Sequence, residues 1–294
     1  MQIIQVNNYF DDYIYIDKKQ LRRRRALLLT GGCQVKTCTM CSLPYEDNHS
    51  MIDLLNQVKN IIKLNDDIDF LTLYNNGNFF YDKEITEEDR IKIYQYLANT
   101  KIKYLLVESL PQFITDNKLN NAKKYLNKNL QVAIGLQTWD EKLRRKNIKT
   151  PCSNRSFEQS LILLKKYNYS ASIFILYGIP YVDKDLSDVE ITSTIDNLID
   201  LDKNYDFSSI IICPLKPSEK SVLNFNIVNN NAHQTYLPTI EDVVYLCRNL
   251  KKLAINHKIY ISTSLLNYKE SMPSVNQQNR QNYITEINLF NKKS

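Results

Sequence analysis

Short apolar segments alternate with helical patterns along most of this chain. Six segments have the length and composition of buried strands, at residues 26–29, 69–74, 103–108, 130–136, 172–176 and 208–213. Strands that alternate with helices pair in parallel and are joined by right-handed crossovers. The sequence therefore predicts an α/β fold, and such parallel folds keep their functional residues at the carboxyl ends of the strands.

The helical segments have recognisable starts. Ser50 is expected to cap a first helix and Thr86 a second, and a polar helix is expected near residues 117–127. After the sixth strand the sequence predicts a helix that begins near Thr239 and a further strand at residues 258–263. These elements continue the alternation beyond the six strands.

The length of 294 residues suits one α/β barrel domain with an extension. We expect residues 1–214 to form a partial barrel with its lead-in, and residues 215–294 to pack on it. The tail from Ser271 is polar and poor in pattern. No apolar run reaches membrane-spanning length, and the first residues are acidic where a signal peptide is basic and apolar. We therefore expect a cytoplasmic protein with reduced thiols, which favours metal binding over disulfides.

The net charge of +6 is modest, and most lysines fall on helical patterns where a solvated face is the ordinary explanation. The exception is a run of four arginines at positions 22–25, directly before the first predicted strand. These arginines suit contacts to nucleic-acid phosphates, or equally a position around the mouth or base of a barrel.

Three cysteines form the densest group of reactive side chains. Cys33, Cys38 and Cys41 have the spacing C-x4-C-x2-C just after the first predicted strand, and two preceding glycines allow the chain to turn there. Iron–sulfur clusters and structural zinc sites ordinarily take four protein ligands. Three cysteines leave one position open, and an open iron can bind a substrate or cofactor.

The spacing alone leaves other interpretations open. With His49 the three cysteines would make a Cys3His set for zinc in a non-enzymatic interaction module, and they could also be unconnected core cysteines. Cys152, Cys213 and Cys247 are isolated in the sequence, so no auxiliary cluster is expected. Cys247 lies on the apolar stripe of a helix, and core packing is the expected role for it and for Cys213.

The cysteine loop resembles the cluster loop of radical S-adenosylmethionine (radical SAM) enzymes. Most of that family has C-x3-C-x2-C with an aromatic or apolar residue before the third cysteine, a place that Met40 takes here. The form Gly-Cys-x4-Cys-Thr-Met-Cys is similar to a branch near the Elongator catalytic subunit that includes the radical SAM subunit of archaeosine synthase. The resemblance implies a partial (β/α)6 barrel with a C-terminal α/β extension, in which the three cysteines bind a [4Fe-4S] cluster.

Four strand ends extend this resemblance. Residues 74–79 are similar to the Tyr-Asn-Ser-Gly-Ser-Phe segment of the archaeosine-type branch, residues 108–111 to Glu-Ser-x-Pro, and residues 135–138 to Gly-x-Gln/Glu-Ser/Thr; residues 177–180 follow the fifth strand, where the family cradles adenine. Ordinary turns and loop caps are the alternative for each segment. The resemblance implies the following SAM-binding residues: Met40, Asn76, Gly77, Asn78, Glu108, Gln137 and Gly178.

Two further positions bear on the resemblance, one as a departure and one as a match. Gln137 stands where archaeosine enzymes usually carry Glu. Lys149 resembles a basic position of relatives that could reach the substrate or the SAM carboxylate, and a solvated helix face explains it nearly as well.

The resemblance implies that the cluster reductively cleaves SAM and that the resulting 5'-deoxyadenosyl radical abstracts hydrogen from a substrate. The resemblance also implies an external electron donor such as flavodoxin or ferredoxin, and it leaves a partner protein open. Two substrates remain open: a modified tRNA base, as in archaeosine formation, and a small metabolite or peptide of a biosynthetic pathway. No residue is assigned as a catalytic acid or hydrogen-atom source.

Overall fold

A computed structural model describes residues 9–16, 19–45, 53–232, 234–262 and 272–293. Its strands are β1 (Tyr9–Ile16), β2 (Lys19–Leu28), β3 (Phe70–Asn75), β4 (Tyr104–Glu108), β5 (Asn129–Gln137), β6 (Ser170–Tyr177), β7 (Ser209–Pro214) and β8 (Ile259–Ile261). Its α-helices are α1 (Leu54–Ile61), α2 (Glu87–Ala98), α3 (Asp116–Tyr125), α4 (Glu141–Leu143), α5 (Asn154–Lys166), α6 (Lys184–Tyr205), α7 (Val222–Val228), α8 (Ile240–His257) and α9 (Arg280–Lys293).

The chain divides into two compact units that alternate along the sequence. The first contains Met1–Lys36, Leu43–Ile134 and Arg155–Ala171, and the second contains Thr37–Ser42, Gly135–Asn154 and Ser172–Ser294. The division of the chain at residue 214 stays a prediction.

In the first unit, β2, β3, β4 and β5 pair in parallel, and β1 pairs with β2 in the antiparallel direction. Leu71, Leu73, Leu105 and Val107 lie on one face of β3 and β4 and are completely buried. Phe70, Thr72 and Leu106 on the opposite face are also buried, as is typical of parallel sheets that are covered on both faces. The strands of this sheet therefore present their carboxyl ends, and the loops that follow them, from a rigid support.

In the second unit, β6, β7 and β8 pair in parallel. Thr239 caps α8 in a capping box, in which its side chain accepts from the Asp242 N–H while the Asp242 carboxylate accepts from the Thr239 N–H. An apolar cluster around Ile148, Leu176 and Leu223 forms part of the core of this unit.

The expected α/β class is confirmed, because the six predicted strands appear as β2 to β7 with parallel pairing inside each unit. The caps at Thr86 and Thr239 are also confirmed. α1 begins at Leu54 with Asp53 as its cap, and the expected cap Ser50 lies outside the described residues.

Two elements differ from the sequence-based expectations. β1 was not expected, and β2 begins at Lys19, so the four arginines lie within a strand rather than before it. The polar tail contains α9, which buries Ile287 and Phe290. Its Arg280 guanidinium donates to the Met272 carbonyl, and Arg248 of α8 pairs with its Glu286 at 2.7 Å. Among the helices described, none combines the length and apolar character needed to cross a bilayer.

Candidate functional site

The arginine run of β2 is held by acidic side chains of its own unit. Asp11 accepts from Arg22 at 3.0 Å and from Arg24 at 2.7 Å, and Asp12 accepts from Arg23 at 2.6 Å. Further bonds join Arg24 to Asp66 and Arg25 to Asp12, both at 2.7 Å. The arginines neighbouring Asp11 hold the pKa of that carboxyl below its usual range. The run is therefore a set of ion pairs between β1 and β2 rather than an open basic patch.

The cysteine loop begins where β2 ends. Gln57 brackets Leu29 there, accepting from its N–H and donating to its carbonyl, both at 2.9 Å. The Thr30 N–H donates to Asn76 Oδ1 at 3.0 Å, and Asn76 Nδ2 donates back to the Thr30 carbonyl at 3.3 Å. The side chain of Asn76 thus joins the ends of two parallel strands, and its backbone remains for the predicted SAM contact.

Cys33 and the loop after β3 are joined through Asn78 and Glu84. Asn78 Nδ2 lies 3.8 Å from Cys33 Sγ and 3.2 Å from Glu84 Oε1. Glu84 also accepts from the backbone N–H groups of Gln34, at 2.9 Å, and of Asn78. Burial raises the pKa of the Glu84 carboxyl. A Cβ on Gly77 would overlap the Glu84 carboxylate, so a larger residue there requires Glu84 to move.

The end of β4 carries a carboxyl that is poorly solvated. Burial raises the pKa of Glu108 to about 7. The adjacent Ser109 hydroxyl is buried, as are both amide atoms of Asn75 at the end of β3, and none of these atoms has a hydrogen-bond partner within the described ranges. Buried polar groups ordinarily find partners, so unpaired ones at two strand ends indicate room for a polar ligand.

In the second unit, Thr37–Ser42 packs against the turn after α4. This turn, Arg144–Ile148, is a π-helix, a conformation that is frequent at functional sites. The Thr39 N–H donates to the Ile148 carbonyl and the Thr39 hydroxyl to the Asn147 carbonyl, both at 2.9 Å. Cys38 Sγ lies 3.3 Å from Thr150 Oγ1, and burial raises the pKa of the Cys38 thiol.

Arg144 anchors that turn and was missed by sequence reasoning. Its side chain is completely buried, and the guanidinium donates to the carbonyls of Thr138, Trp139 and Cys152 at 2.8–3.0 Å and to Asn154 Oδ1 at 2.5 Å. No carboxylate of the described residues pairs with it. Nothing in the local sequence distinguishes Arg144 from its exposed neighbour Arg145.

The remaining predicted SAM residues of the second unit lie close to backbone. Gln137 ends β5 in a left-handed conformation with φ of 71°. A Cβ on Gly135 would lie 2.8 Å from the Gln137 amide nitrogen, so the glycine leaves space for that side chain. Gly178 has φ of 86°, and Pro238 Cδ would lie 2.8 Å from a Cβ there. Met40 packs against the apolar cluster of its unit.

The other residues considered in the sequence differ in their burial and position. His49 lies outside the described ranges, and Lys149 is exposed with φ of 60° at the end of the π-helical turn. Cys152 and Cys247 are buried, which agrees with a core role, and Cys213 is partly buried on β7. The described residues include no group of three or more His, Cys, Asp or Glu side chains arranged to hold a metal ion. The roles assigned to the site residues therefore stay predictions.

Comparison with known proteins identifies the class. Residues 27–190 match the model of the Radical SAM superfamily. An uncharacterized protein of Methanocaldococcus jannaschii is 26% identical over 257 residues, which are 83% of this chain and 68% of that protein. Archaeosine synthase subunit beta of Methanosarcina acetivorans is 23% identical over 167 residues, 53% of this chain, and the match spans only about half (48%) of that subunit. The queuine lyase of Clostridium spiroforme, solved with SAM and queuine, gives a TM-score of 0.51 at 18% identity, covering 76% of this chain and 90% of that chain.

The chain belongs to the radical SAM superfamily, whose members are enzymes. The expected superfamily is confirmed, as are its cofactors, a [4Fe-4S] cluster and SAM. The expected resemblance to archaeosine synthase agrees with the similarity to the Methanosarcina subunit. The interpretation as a non-enzymatic zinc module is wrong. The residues present fit these cofactors, because the cysteine loop supplies thiolate ligands and the unpaired polar atoms of Asn75 and Ser109 suit a polar ligand.

Proposed function

We propose that this protein is a radical SAM enzyme whose substrate is a free modified nucleobase, a small molecule, rather than a base within intact tRNA. Cys33, Cys38 and Cys41 would hold the cluster. The observation that carries the proposal is the C-x4-C-x2-C loop directly after β2, in a chain matched over residues 27–190 by the superfamily. An external donor such as flavodoxin or ferredoxin would deliver the electron.

When bound, the cluster and SAM supply a 5'-deoxyadenosyl radical that abstracts hydrogen from the substrate. The residues of this chain would bind and orient SAM and the substrate, and would exclude water from the site. Glu108, with its pKa near 7, can accept from or donate to a ribose hydroxyl, and the Gln137 amide can do both at once. Gly77, next to the Asn78 whose side chain lies 3.8 Å from Cys33, would offer its backbone groups to the methionine part of SAM.

The substrate class rests on two relatives. The name of the Methanosarcina subunit concerns archaeosine, and the Clostridium lyase was solved with queuine. Both support a modified base as the molecule that this chain recognises. The match covers only about half of the Methanosarcina subunit, so we do not assign the full activity of that subunit to this chain.

The arginine run favours a small molecule over intact tRNA. Phosphate binding needs guanidinium groups that are open to the ligand. Here the arginines of β2 are already bonded to Asp11, Asp12 and Asp66. A tRNA phosphate would have to displace these carboxylates.

The first experiment tests the cluster and the chemistry. Protein reconstituted without oxygen should bind about four irons and four sulfides per chain, as one cubane requires. Cys38→Ser should lose the cluster, and the buried Cys247→Ser should keep it. With dithionite the enzyme should release 5'-deoxyadenosine and methionine rather than S-adenosylhomocysteine. Full iron content in Cys38→Ser would contradict the assignment.

The second experiment tests the SAM contacts. Glu108→Ala and Gln137→Ala should each weaken SAM binding by about 1–3 kcal/mol while iron content stays at the wild-type level, because a buried ligand loses hydrogen bonds. Calorimetric titration of the reconstituted protein measures the loss. Unchanged SAM affinity in both variants would reject the strand-end assignments.

The third experiment separates the two substrates. Free queuine should raise 5'-deoxyadenosine release above the uncoupled level, whereas unmodified and modified tRNA should not. If tRNA is the substrate instead, Arg22→Gln with Arg23→Gln should reduce the slope of log affinity against log salt by about 0.7–0.9 for each lost contact. These two arginines are chosen because Arg24 is nearly buried, at 7% exposure.

A further inference from the structure

Side-chain hydrogen-bonding groups lie beside the sulfurs of Cys33 and Cys38. In the first unit Asn78 Nδ2 lies 3.8 Å from Cys33 Sγ. In the second unit Thr150 Oγ1 lies 3.3 Å from Cys38 Sγ. Neither Asn78 nor Thr150 is adjacent in sequence to the cysteine that it contacts.

The Asn78 amide is oriented by partners other than the sulfur. The Leu110 N–H donates to Asn78 Oδ1 at 2.9 Å, so the oxygen must face Leu110. The Glu84 carboxylate accepts from Asn78 Nδ2 at 3.2 Å, so the nitrogen must face Glu84. With one N–H of Nδ2 used by Glu84, the second is available to Cys33 Sγ. The nitrogen therefore meets the sulfur as a donor.

The Thr150 hydroxyl is buried beside the Cys38 sulfur. Thr150 is 2% exposed, and Cys38 Sγ is the partner found for its hydroxyl among the described residues. A thiol and a hydroxyl can each donate. A thiolate bound to iron has no proton, so in the loaded protein the hydroxyl must be the donor.

We infer that Asn78 and Thr150 donate hydrogen bonds to cluster sulfurs and raise the reduction potential of the cluster. The inference rests on the proposed function. Reduction places additional negative charge on the iron and its sulfur ligands, and a donor stabilises that state more than the oxidised one. Both are positioning residues, because they act on the cluster through Cys33 and Cys38.

Thr150→Val is the principal variant, because valine keeps the shape of threonine and lacks its hydroxyl. Its midpoint potential, measured by redox titration with electron paramagnetic resonance, should move to a more negative value while iron content stays unchanged. Thr150→Ser keeps the hydroxyl, so its potential should return toward wild type. A role in packing alone predicts the opposite order, since valine preserves volume and serine does not.

Asn78→Asp combined with Glu84→Gln tests the other donor. The aspartate still offers an oxygen to the Leu110 N–H, and the glutamine that replaces Glu84 can donate to the aspartate. The Gln34 N–H then loses the acceptor that Glu84 Oε1 provides. The N–H that faces Cys33 Sγ is lost, so the midpoint potential should again become more negative. Glu84→Gln alone is the matched control: removing its negative charge should move the potential the other way or leave it unchanged.

Combining Thr150→Val with the exchanged pair should add the two shifts, because the donors meet different sulfurs. Unchanged potentials in both sets, with wild-type iron content and SAM cleavage in the parent protein, would overturn the inference and leave the proposed function standing. Loss of iron from both sets in folded protein would make these residues structural supports and overturn it as well. Absence of a cluster from the parent protein would overturn both proposals.

Discussion

Glu108 gives a stability prediction that needs no cofactor. Burial raises the pKa of this carboxyl from its ordinary value of 4.5 to about 7 in the folded chain. Between these values the unfolded chain has released the proton and the folded chain still holds it. The free energy of unfolding contributed by this group is therefore largest below pH 4.5, falls as the pH rises, and stops falling above about pH 7.

The size of the effect follows from the shift. At about 1.36 kcal/mol for each pKa unit, the full shift from 4.5 to about 7 would cost about 3.4 kcal/mol at pH 8. Glu108 keeps some solvent contact, so we expect about 2 kcal/mol. Glu108→Gln is neutral at every pH and removes this dependence.

The assay is urea unfolding of wild-type and Glu108→Gln protein at pH 5, 6.5 and 8, followed by far-UV circular dichroism. Other titrating groups act equally on both proteins, so the difference between their unfolding free energies isolates Glu108. That difference should move in favour of the variant by about 2 kcal/mol from pH 5 to pH 8. Parallel curves across this range would refute the desolvation argument.

Three further predictions concern stability, each measured as a change in the free energy of unfolding by denaturant. Arg144→Met should cost about 3 kcal/mol or more because it leaves buried carbonyls unpaired, whereas the exposed Arg145→Met should stay within about 0.5 kcal/mol; equal losses would contradict the anchoring role. Thr239→Ala should cost about 1 kcal/mol through the lost cap of α8, and no loss would show that the cap is dispensable. Gly178→Ala should cost about 1 kcal/mol or more, because φ is 86° and a Cβ meets Pro238; a neutral result would mean that this backbone can relax.

The parallel strands and two helix caps were predictable because their signals are local. A buried strand is a short apolar run, and a cap is a polar residue before a helical period. Thr86 and Thr239 meet that description and cap α2 and α8. The positions of the cysteines and of Glu108 at strand ends followed from the same strand assignments.

β1 and α9 were not predictable from local pattern. In β1, Asp11 and Asp12 point to opposite faces of the strand, and each becomes favourable only because arginines of β2 lie opposite it. α9 buries Ile287 and Phe290, and its Glu286 pairs with Arg248 of α8. Both elements depend on contacts with segments that the sequence keeps apart.

The supports of the candidate site were equally hidden. Thr150 lies 112 positions from Cys38, and Glu84 lies 50 positions from Gln34. No spacing rule connects residues at such separations. Family resemblance identifies the cysteines, and only the fold identifies the side chains that surround them.

β1 also forms the edge of its sheet next to β2. It pairs with β2 from Tyr9 to Ile16, so the backbone edge of β2 is covered. A chain shortened to begin at Lys19 would expose that edge and leave the nearly buried Arg24 without Asp11. Exposed strand edges pair with other chains. Removing β1 would therefore move the open edge from β1 to β2 and leave the arginines of β2 without Asp11 and Asp12, so the shortened chain should have a lower free energy of unfolding.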